Sequence, residues 1–321
     1  MDHNKNDKKV YLVNSLGGLG NQIFCYVFYK KLCHDYPDRR FLMDISGSYN
    51  KYYDRNAEFL HLFPDAPVDI SSKSMTLKLE HRLKVRYKGK GHRFLIYAAD
   101  FLNENVLHAP EGACVTDSQF DKWGCTIPDD RWNEIVFFDG FWQNMDYYRD
   151  IWDEITKDLV YRAIDDEPNL KMLSMIGQTE SVAVHIRRGD YIGARSFDIL
   201  DDQYYFRIIN RIMDRNPDST FFFFSNDPGY VEKTYEWLSN KVIVNINHDK
   251  ESYKDMQLIS ACKTNIVANS TFSIWGAFLN RNPDRKVYYP SHYLYRARPL
   301  DYSFLHGFEK VEVIFPEETG N

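Results

Sequence analysis

From residue 181 onward the chain alternates short β-branched or aromatic runs with segments of helical period, and this alternation is the strongest constraint on its fold. Ser181–Ile186, Thr220–Phe224, Val242–Ile246, Asn265–Ala268 and Val287–Tyr289 read as strands. Between them, Asp201-Asp202 caps a helix with Phe206, Ile209 and Met213 on one face, and Asp227-Pro228 opens a second helix to Leu238. Ser252 caps a third with Met256, Ile259 and Cys262 on one face, and Ile274–Leu279 forms a fourth. Strands separated by helices predict a parallel sheet covered on both faces.

The first half opens the same way. Lys9–Val13 is a strand, and Asn14–Gly20 is a loop holding Gly17, Gly18 and Gly20. Asn21–Leu32 is a helix with Ile23, Val27, Phe28 and Leu32 on one face, and Phe41–Ile45 is the next strand. Ile135–Phe141 reads as a strand, Asp146–Tyr161 as a helix, and Asp165-Asp166-Glu167-Pro168 as a turn or linker; residues 50–140 otherwise read as mixed helices and loops. A length of 321 residues suits two domains. The expected architecture is α/β, two Rossmann-like domains facing each other across a cleft. The first spans residues 1–170 and the second 171–321, with the tail packing back on the first.

Composition excludes several function classes. The formal charge of −6 argues against a general nucleic-acid binder. No apolar run approaches the roughly 18 residues of a membrane span, and the polar start, Met1 to Lys9, lacks the apolar centre of a secretory signal. Cys25, Cys33, Cys114, Cys125 and Cys262 are odd in number and lack C-x-x-C spacing, which fits reduced thiols in a cytoplasmic protein. The locally basic stretch 81–93 offers peripheral contact with an anionic surface, at the inner face of a membrane.

Three strand-end loops carry the chemistry. Val182 to Tyr191 runs from a buried strand into His185, Arg187, Arg188, Gly189 and Asp190. Open α/β sheets bind ligands at the carboxyl ends of their strands, and paired guanidinium groups suit a diphosphate. In the loop Gly17-Gly18-Leu19-Gly20-Asn21 the glycines let a ligand approach the backbone ahead of a helix. The third loop, Asn269-Ser270-Thr271-Phe272-Ser273, brings hydroxyls to a helix start, where they cap the helix or bind phosphate. At a fourth strand end, Ser225-Asn226-Asp227, the Asp227 carboxylate suits either a helix cap or the hydrogen-bond edge of guanine. There is no D-x-D, H-E-x-x-H, G-x-S-x-G or G-x-x-x-x-G-K-[ST] motif, so a metal-held diphosphate, a zinc protease, a serine hydrolase and a P-loop are all unsupported.

HIRRGDY (His185 to Tyr191), GGLGNQIF (Gly17 to Phe24), FFFFSNDP (Phe221 to Pro228) and NSTFSIWGAFL (Asn269 to Leu279) together resemble the α-1,2-fucosyltransferases of glycosyltransferase family 11. The resemblance implies a GT-B-type fold and inverting transfer of L-fucose from GDP-fucose to a galactose 2-hydroxyl, with no metal or other cofactor. It implies that Arg187 binds the β-phosphate, with Arg188 beside it, and that His185 lies by the nucleotide. Asp190 would hold the arginine loop or contact the donor, as the second catalytic residue after Arg187. Asp227 would read the guanine, and Ser270, Thr271, Phe272 and Ser273 would close on the diphosphate. Gly18 and Asn21 would reach it from the first domain. The implied partners are GDP-fucose and a galactose-terminated or lipid-linked glycan, in O-antigen or other surface-glycan synthesis. Residues 50–130 would govern acceptor choice. A different linkage or acceptor, and a non-catalytic binder on the same scaffold, are the alternatives.

Overall fold

The computed structural model describes residues 10–45, 58–71, 114–127, 135–192, 199–292 and 300–313. The basic stretch 81–93 lies outside them, as does most of 50–130. The chain falls into two compact units, Met1–Val160 and Tyr161–Asn321.

The first unit is a parallel sheet of four strands: β1 (Val10–Asn14), β2 (Arg40–Asp44), β3 (Cys114–Val115) and β4 (Ile135–Phe138). Their order is β2-β1-β4-β3, and the register sets Val13 against both Met43 and Phe138. Helix α1 (Leu19–Asp35) follows β1. The sequence predicts one apolar face for it, yet Phe24, Tyr26 and Tyr29 are buried as well as Ile23, Val27, Phe28 and Leu32. The reason is that the helix is covered on more than one side. Tyr26 stacks on Phe59 of α2 (Glu58–Leu62) with ring centroids 4.6 Å apart. Phe28 lies flat on Trp142, with centroids 3.7 Å apart. Two short helices, α3 (Asp117–Lys122) and α4 (Trp152–Asp158), complete the described part. The stretch expected to be one helix from Asp146 is instead two 3₁₀ turns, Met145–Tyr147 and Arg149–Ile151, leading into α4.

The second unit begins with α5 (Glu167–Gln178), where the sequence suggests only a turn. Asp166 caps it by accepting from Asn169 N, and Pro168 sits in its first turn. The strands are β5 (Glu180–Ile186), β6 (Ser219–Ser225), β7 (Lys241–Val244), β8 (Thr264–Ile266), β9 (Lys286–Pro290) and β10 (Phe308–Val311). The helices between them are α6 (Asp202–Arg215), α7 (Pro228–Thr234), α8 (Tyr253–Ala261) and α9 (Thr271–Phe278). The unit boundary lies ahead of the expected 170/171, because α5 packs on α8, and Asn169 exchanges amide hydrogen bonds of 2.8 and 2.9 Å with Asn247.

All six strands run parallel in the order β10-β9-β8-β5-β6-β7. The chain therefore winds outward from β5 through β6 to β7, then returns to build the other half from β8. This is the doubly wound, Rossmann-like order, with its switch point between β5 and β8. Both faces are covered. Val182, Val184, Ile186, Phe221 and Phe223 pack with Tyr204, Ile208 and Ile209 of α6. Ala183, Phe222 and Phe224 point the other way, onto Ile176 of α5 and Leu258 and Ile259 of α8. Among the described residues no helix is long and apolar enough to cross a membrane.

The buried Tyr204 hydroxyl donates to the carbonyls of Val267 (2.9 Å) and Tyr288 (3.2 Å), tying α6 to β9 and to the loop after β8. Tyr204→Phe is expected to cost about 1–3 kcal/mol, since a buried hydrogen bond to the Val267 carbonyl is lost. Urea denaturation followed by tyrosine and tryptophan fluorescence measures the loss.

Candidate functional site

Three sequence-derived site residues, His185, Arg187 and Phe272, meet around the switch point of the second sheet. The chain leaves β5 at Ile186, and the next two side chains diverge. The Arg187 guanidinium lies over the Tyr191 ring, 5.5 Å from its centroid, and the Tyr191 hydroxyl donates to Asn269 O at 3.2 Å. Tyr191 thus spans from the loop after β5 to the loop after β8. His185, at the end of β5, is 5% exposed and packs against Phe272 of α9, ring centroids 5.8 Å apart. Burial, then the neighbouring Arg187 cation, pushes its pKa down to about 3, so the imidazole is neutral at physiological pH. Its Nδ1 bonds to no described residue.

Arg188 turns the opposite way. Its backbone N–H donates to Asn226 Oδ1 (3.0 Å), its Nε donates to Asp227 Oδ2 (3.4 Å), and its guanidinium stacks on Tyr230, 3.5 Å from the ring centroid. Asp227 also caps α7 by accepting from Tyr230 N at 3.1 Å. The expected guanine reader is therefore engaged as a helix cap and as the anchor of Arg188. A Cβ at Gly189 would sit 2.2 Å from Asn226 Nδ2, so any other residue would displace the Asn226 side chain that holds Arg188 N. The Asp190 side chain lies outside the described part of the structure.

The third loop differs from expectation in its start. Helix α9 begins at Thr271, and Ser270 occupies the cap position without a side-chain capping bond. Ser273 is fully buried and its hydroxyl donates back to Ser270 O at 3.3 Å. Helix α9 starts two residues after Asn269, whose carbonyl accepts from Tyr191, and a helix amino terminus favours an anion.

In the first unit, Gly18 and Asn21 stand at the carboxyl end of β1. Gly17 has φ +79°, and a Cβ there would meet Asn21 Nδ2 at 2.6 Å. Asn21 Oδ1 accepts from Gln143 Nε2 at 3.0 Å, and the buried Gln22 donates to Gly17 O (3.1 Å). Beside them Asn14 Nδ2 donates to Asp139 Oδ1 at 2.8 Å. Asp117 accepts from the backbone N–H groups of both Phe141 and Trp142, each at 2.9 Å. Burial raises the pKa of Asp117. Sequence reading passed over Asp117, Asp139 and Gln143, since the apolar run from Ile135 was extended through Phe141; the Asp139-Gly140 pair was the available stop signal.

Among the described residues, the group suited by spacing to a metal ion is His34, Asp35 and Asp150. It is exposed, lies by the carboxyl end of α1, and both aspartates already accept from Lys31 at 2.7 Å.

The chain is 36% identical over 141 residues to the O-antigen biosynthesis glycosyltransferase WbnK of Escherichia coli, an overlap covering 43% of this chain and 46% of the relative. It is 35% identical over 150 residues to an alpha-1,2-colitosyltransferase of Escherichia coli, covering 45% and 51%. It spans about half the length of these relatives. Solved structures with a similar course include fucosyltransferase NodZ from Bradyrhizobium (13% identity, 84% of this chain and 92% of that one, TM-score 0.48). Another is the glycosyl transferase family 9 protein from Veillonella parvula (13%, 97% and 89%, TM-score 0.47). Likeness at that level is too loose to carry residue roles across. Residues 97–293 match Glycosyl transferase family 11. That match takes in more than half of the chain, including the β5 loop and α9, and the chain belongs to glycosyl transferase family 11.

Proposed function

We propose that this protein transfers L-fucose from GDP-fucose to the 2-hydroxyl of a terminal galactose, with inversion and without a metal ion, in the synthesis of O-antigen or another surface glycan. The observation that carries the reading is that Arg187 lies over Tyr191, whose hydroxyl reaches Asn269 just ahead of α9, at the switch point between β5 and β8. As the C1–O bond of the donor breaks, negative charge collects on the β-phosphate and positive charge on the sugar. Arg187 and the N–H groups of α9 neutralise the former, which removes the need for a cation. A neutral His185 adds an uncharged wall beside them. Thr271 and Phe272 close on the diphosphate with Ser270 and Ser273 supporting the turn, and Asp190 holds the arginine loop. Asp227 meets the guanine through lone pairs that its cap and its Arg188 contact leave open. Gly18 and Asn21 add contacts from the glycine loop.

The names of the two relatives support the surface-glycan setting and the α-1,2 linkage. The second relative also favours a specific alternative donor, GDP-colitose, whose sugar is fucose without its 3-hydroxyl. Action on a lipid-linked acceptor at the cytoplasmic face of the membrane, with stretch 81–93 near it, belongs to the same proposal.

Purified protein incubated with GDP-fucose or GDP-colitose and a panel of β-galactosides tests this, with the linkage read by NMR. Transfer of fucose to O2 is expected. GDP binding without turnover on any acceptor would favour a non-catalytic binder, and another linkage would correct the acceptor.

Arg187→Ala is expected to lower kcat by about 10²-fold or more while leaving the melting temperature unchanged, and EDTA is expected to leave the wild-type rate unchanged. Gly189→Ala should misplace the arginine loop against Asn226 and cost on the order of 10²-fold in kcat/KM, with the fold intact by circular dichroism.

A further inference from the structure

We infer that the first unit holds a saccharide site of its own at the carboxyl ends of β1 and β4, where Asp139 and Gln143 accept hydrogen bonds from sugar hydroxyls. Binding there belongs to this unit alone, requires no donor sugar, and stands apart from the transferase reading.

Position points there first. The chain leaves β1 towards β2 on one side, and β4 lies against β1 on the other, so the first sheet has its own switch point between β1 and β4. Open parallel sheets bind ligands at such points, beyond the carboxyl ends of the strands. Asp139 is the first residue after β4 and Asn14 the last of β1, and loop 15–18 leads from there into α1.

The geometry is fixed before any ligand arrives. The turn from Asp139 to Gln143 is pinned at both ends to the segment that follows β1. Asn14 Nδ2 donates to Asp139 Oδ1 at 2.8 Å, and Gln143 Nε2 donates to Asn21 Oδ1 at 3.0 Å. Between those ends the Asp139 N–H donates to Val115 O (2.9 Å), the Cys25 thiol to Gly140 O (3.7 Å), and the N–H groups of Phe141 and Trp142 to Asp117. Gly140 lies so close to Asp117 that a Cβ would sit 2.7 Å from its carboxylate. A turn held this firmly loses little freedom on binding.

The chemistry left open selects the ligand. Asp139 Oδ2 and Gln143 Oε1 accept from no described residue, and neither atom is sealed from solvent. The turn thus offers a carboxylate oxygen and an amide oxygen, which suit a ligand that brings O–H donors. Asp117 and Asp139 have no cationic partner among the described residues, so the local charge opposes a phosphate. Among the described residues the group spaced for a metal ion lies elsewhere, at His34, Asp35 and Asp150. A neutral sugar ring meets these terms. Adjacent hydroxyls donate to the two oxygens, and the half-buried Phe141 of the same turn supplies an aromatic ring for its apolar face.

Saturation-transfer NMR and calorimetry on the whole protein, without donor, test this against the methyl glycosides of galactose, glucose and N-acetylglucosamine. Binding of at least one is expected, with no displacement by calcium or inorganic phosphate. Asp139→Asn, which puts an N–H group or a weaker acceptor in place of the open oxygen, is expected to raise its Kd about 10-fold or more, and Gln143→Leu about 3-fold or more, with melting temperatures little changed. One deoxy analogue of the bound glycoside is expected to bind wild type and Asp139→Asn equally weakly, because the hydroxyl that meets Oδ2 is gone; a merely structural role would weaken every analogue alike. No binding of any glycoside, unchanged Kd in both variants, displacement by calcium or phosphate, or an equal loss for every deoxy analogue would each overturn the inference. Turnover of a GDP-sugar without donor-free binding would overturn it and leave the transferase reading standing. Donor-free binding by a protein inert towards every GDP-sugar would support it while the transferase reading fell.

Discussion

The loop after the central strand of the second unit is held by one guanidinium, that of Arg188. It reaches Asp227 at 3.4 Å and lies 3.5 Å from the centroid of the Tyr230 ring, while its own N–H donates to Asn226. Each contact alone is modest, since both charged partners keep some exposure to water. Together they bind the loop to the β6 side of the sheet. Arg187 lies instead over Tyr191, whose hydroxyl donates to Asn269 in the loop after β8. The paired arginines that look equivalent in sequence thus make different contacts, Arg188 with Asp227 and Tyr230 and Arg187 with Tyr191.

The first unit stores strain at the corresponding place. Trp142 has φ +54°, a region costly for a residue with a side chain, by about 1–3 kcal/mol. Three contacts hold it there. The Asp117 carboxylate takes its N–H and that of Phe141, the Tyr148 hydroxyl donates to its carbonyl at 2.6 Å, and its indole lies flat on Phe28. The turn so fixed carries Gly140 and Gln143 past the ends of β1 and β4. There Gln143 meets Asn21.

The winding of the second unit was legible because its central strands, β5 and β6, are mostly buried and rich in aromatic or β-branched residues, and the helices after them start on acidic caps. Asp201 and Asp227 cap as read, accepting from Gln203 N and Tyr230 N. Helix α5 was missed because its charged opening, Asp165 to Pro168, carries the composition of a turn, while the residues it buries, Asn169 and Ile176, are too few for an apolar stripe. Ser270 and Ser273 illustrate the reverse error. Hydroxyl residues at a helix start suggest capping, yet Ser270 makes no side-chain capping bond and the buried Ser273 hydroxyl donates to Ser270 O. The arginine site itself was readable because its residues are contiguous. Asp139 and Gln143 were not, because their relevance comes from neighbours more than a hundred positions earlier.

Tyr191 and Asn269 join across 78 positions of sequence, and between them the chain must complete α6, β6, α7, β7, α8 and β8. Loop closure over such a separation comes late, after the local βα units have gained their own contacts. A nascent chain ending at α8 would already own β5, β6 and β7 with most of their hydrophobic cover, yet would lack the far wall of the crevice. The contact between Tyr191 and Asn269 is therefore completed only once the chain has passed the strand that reverses the direction of winding.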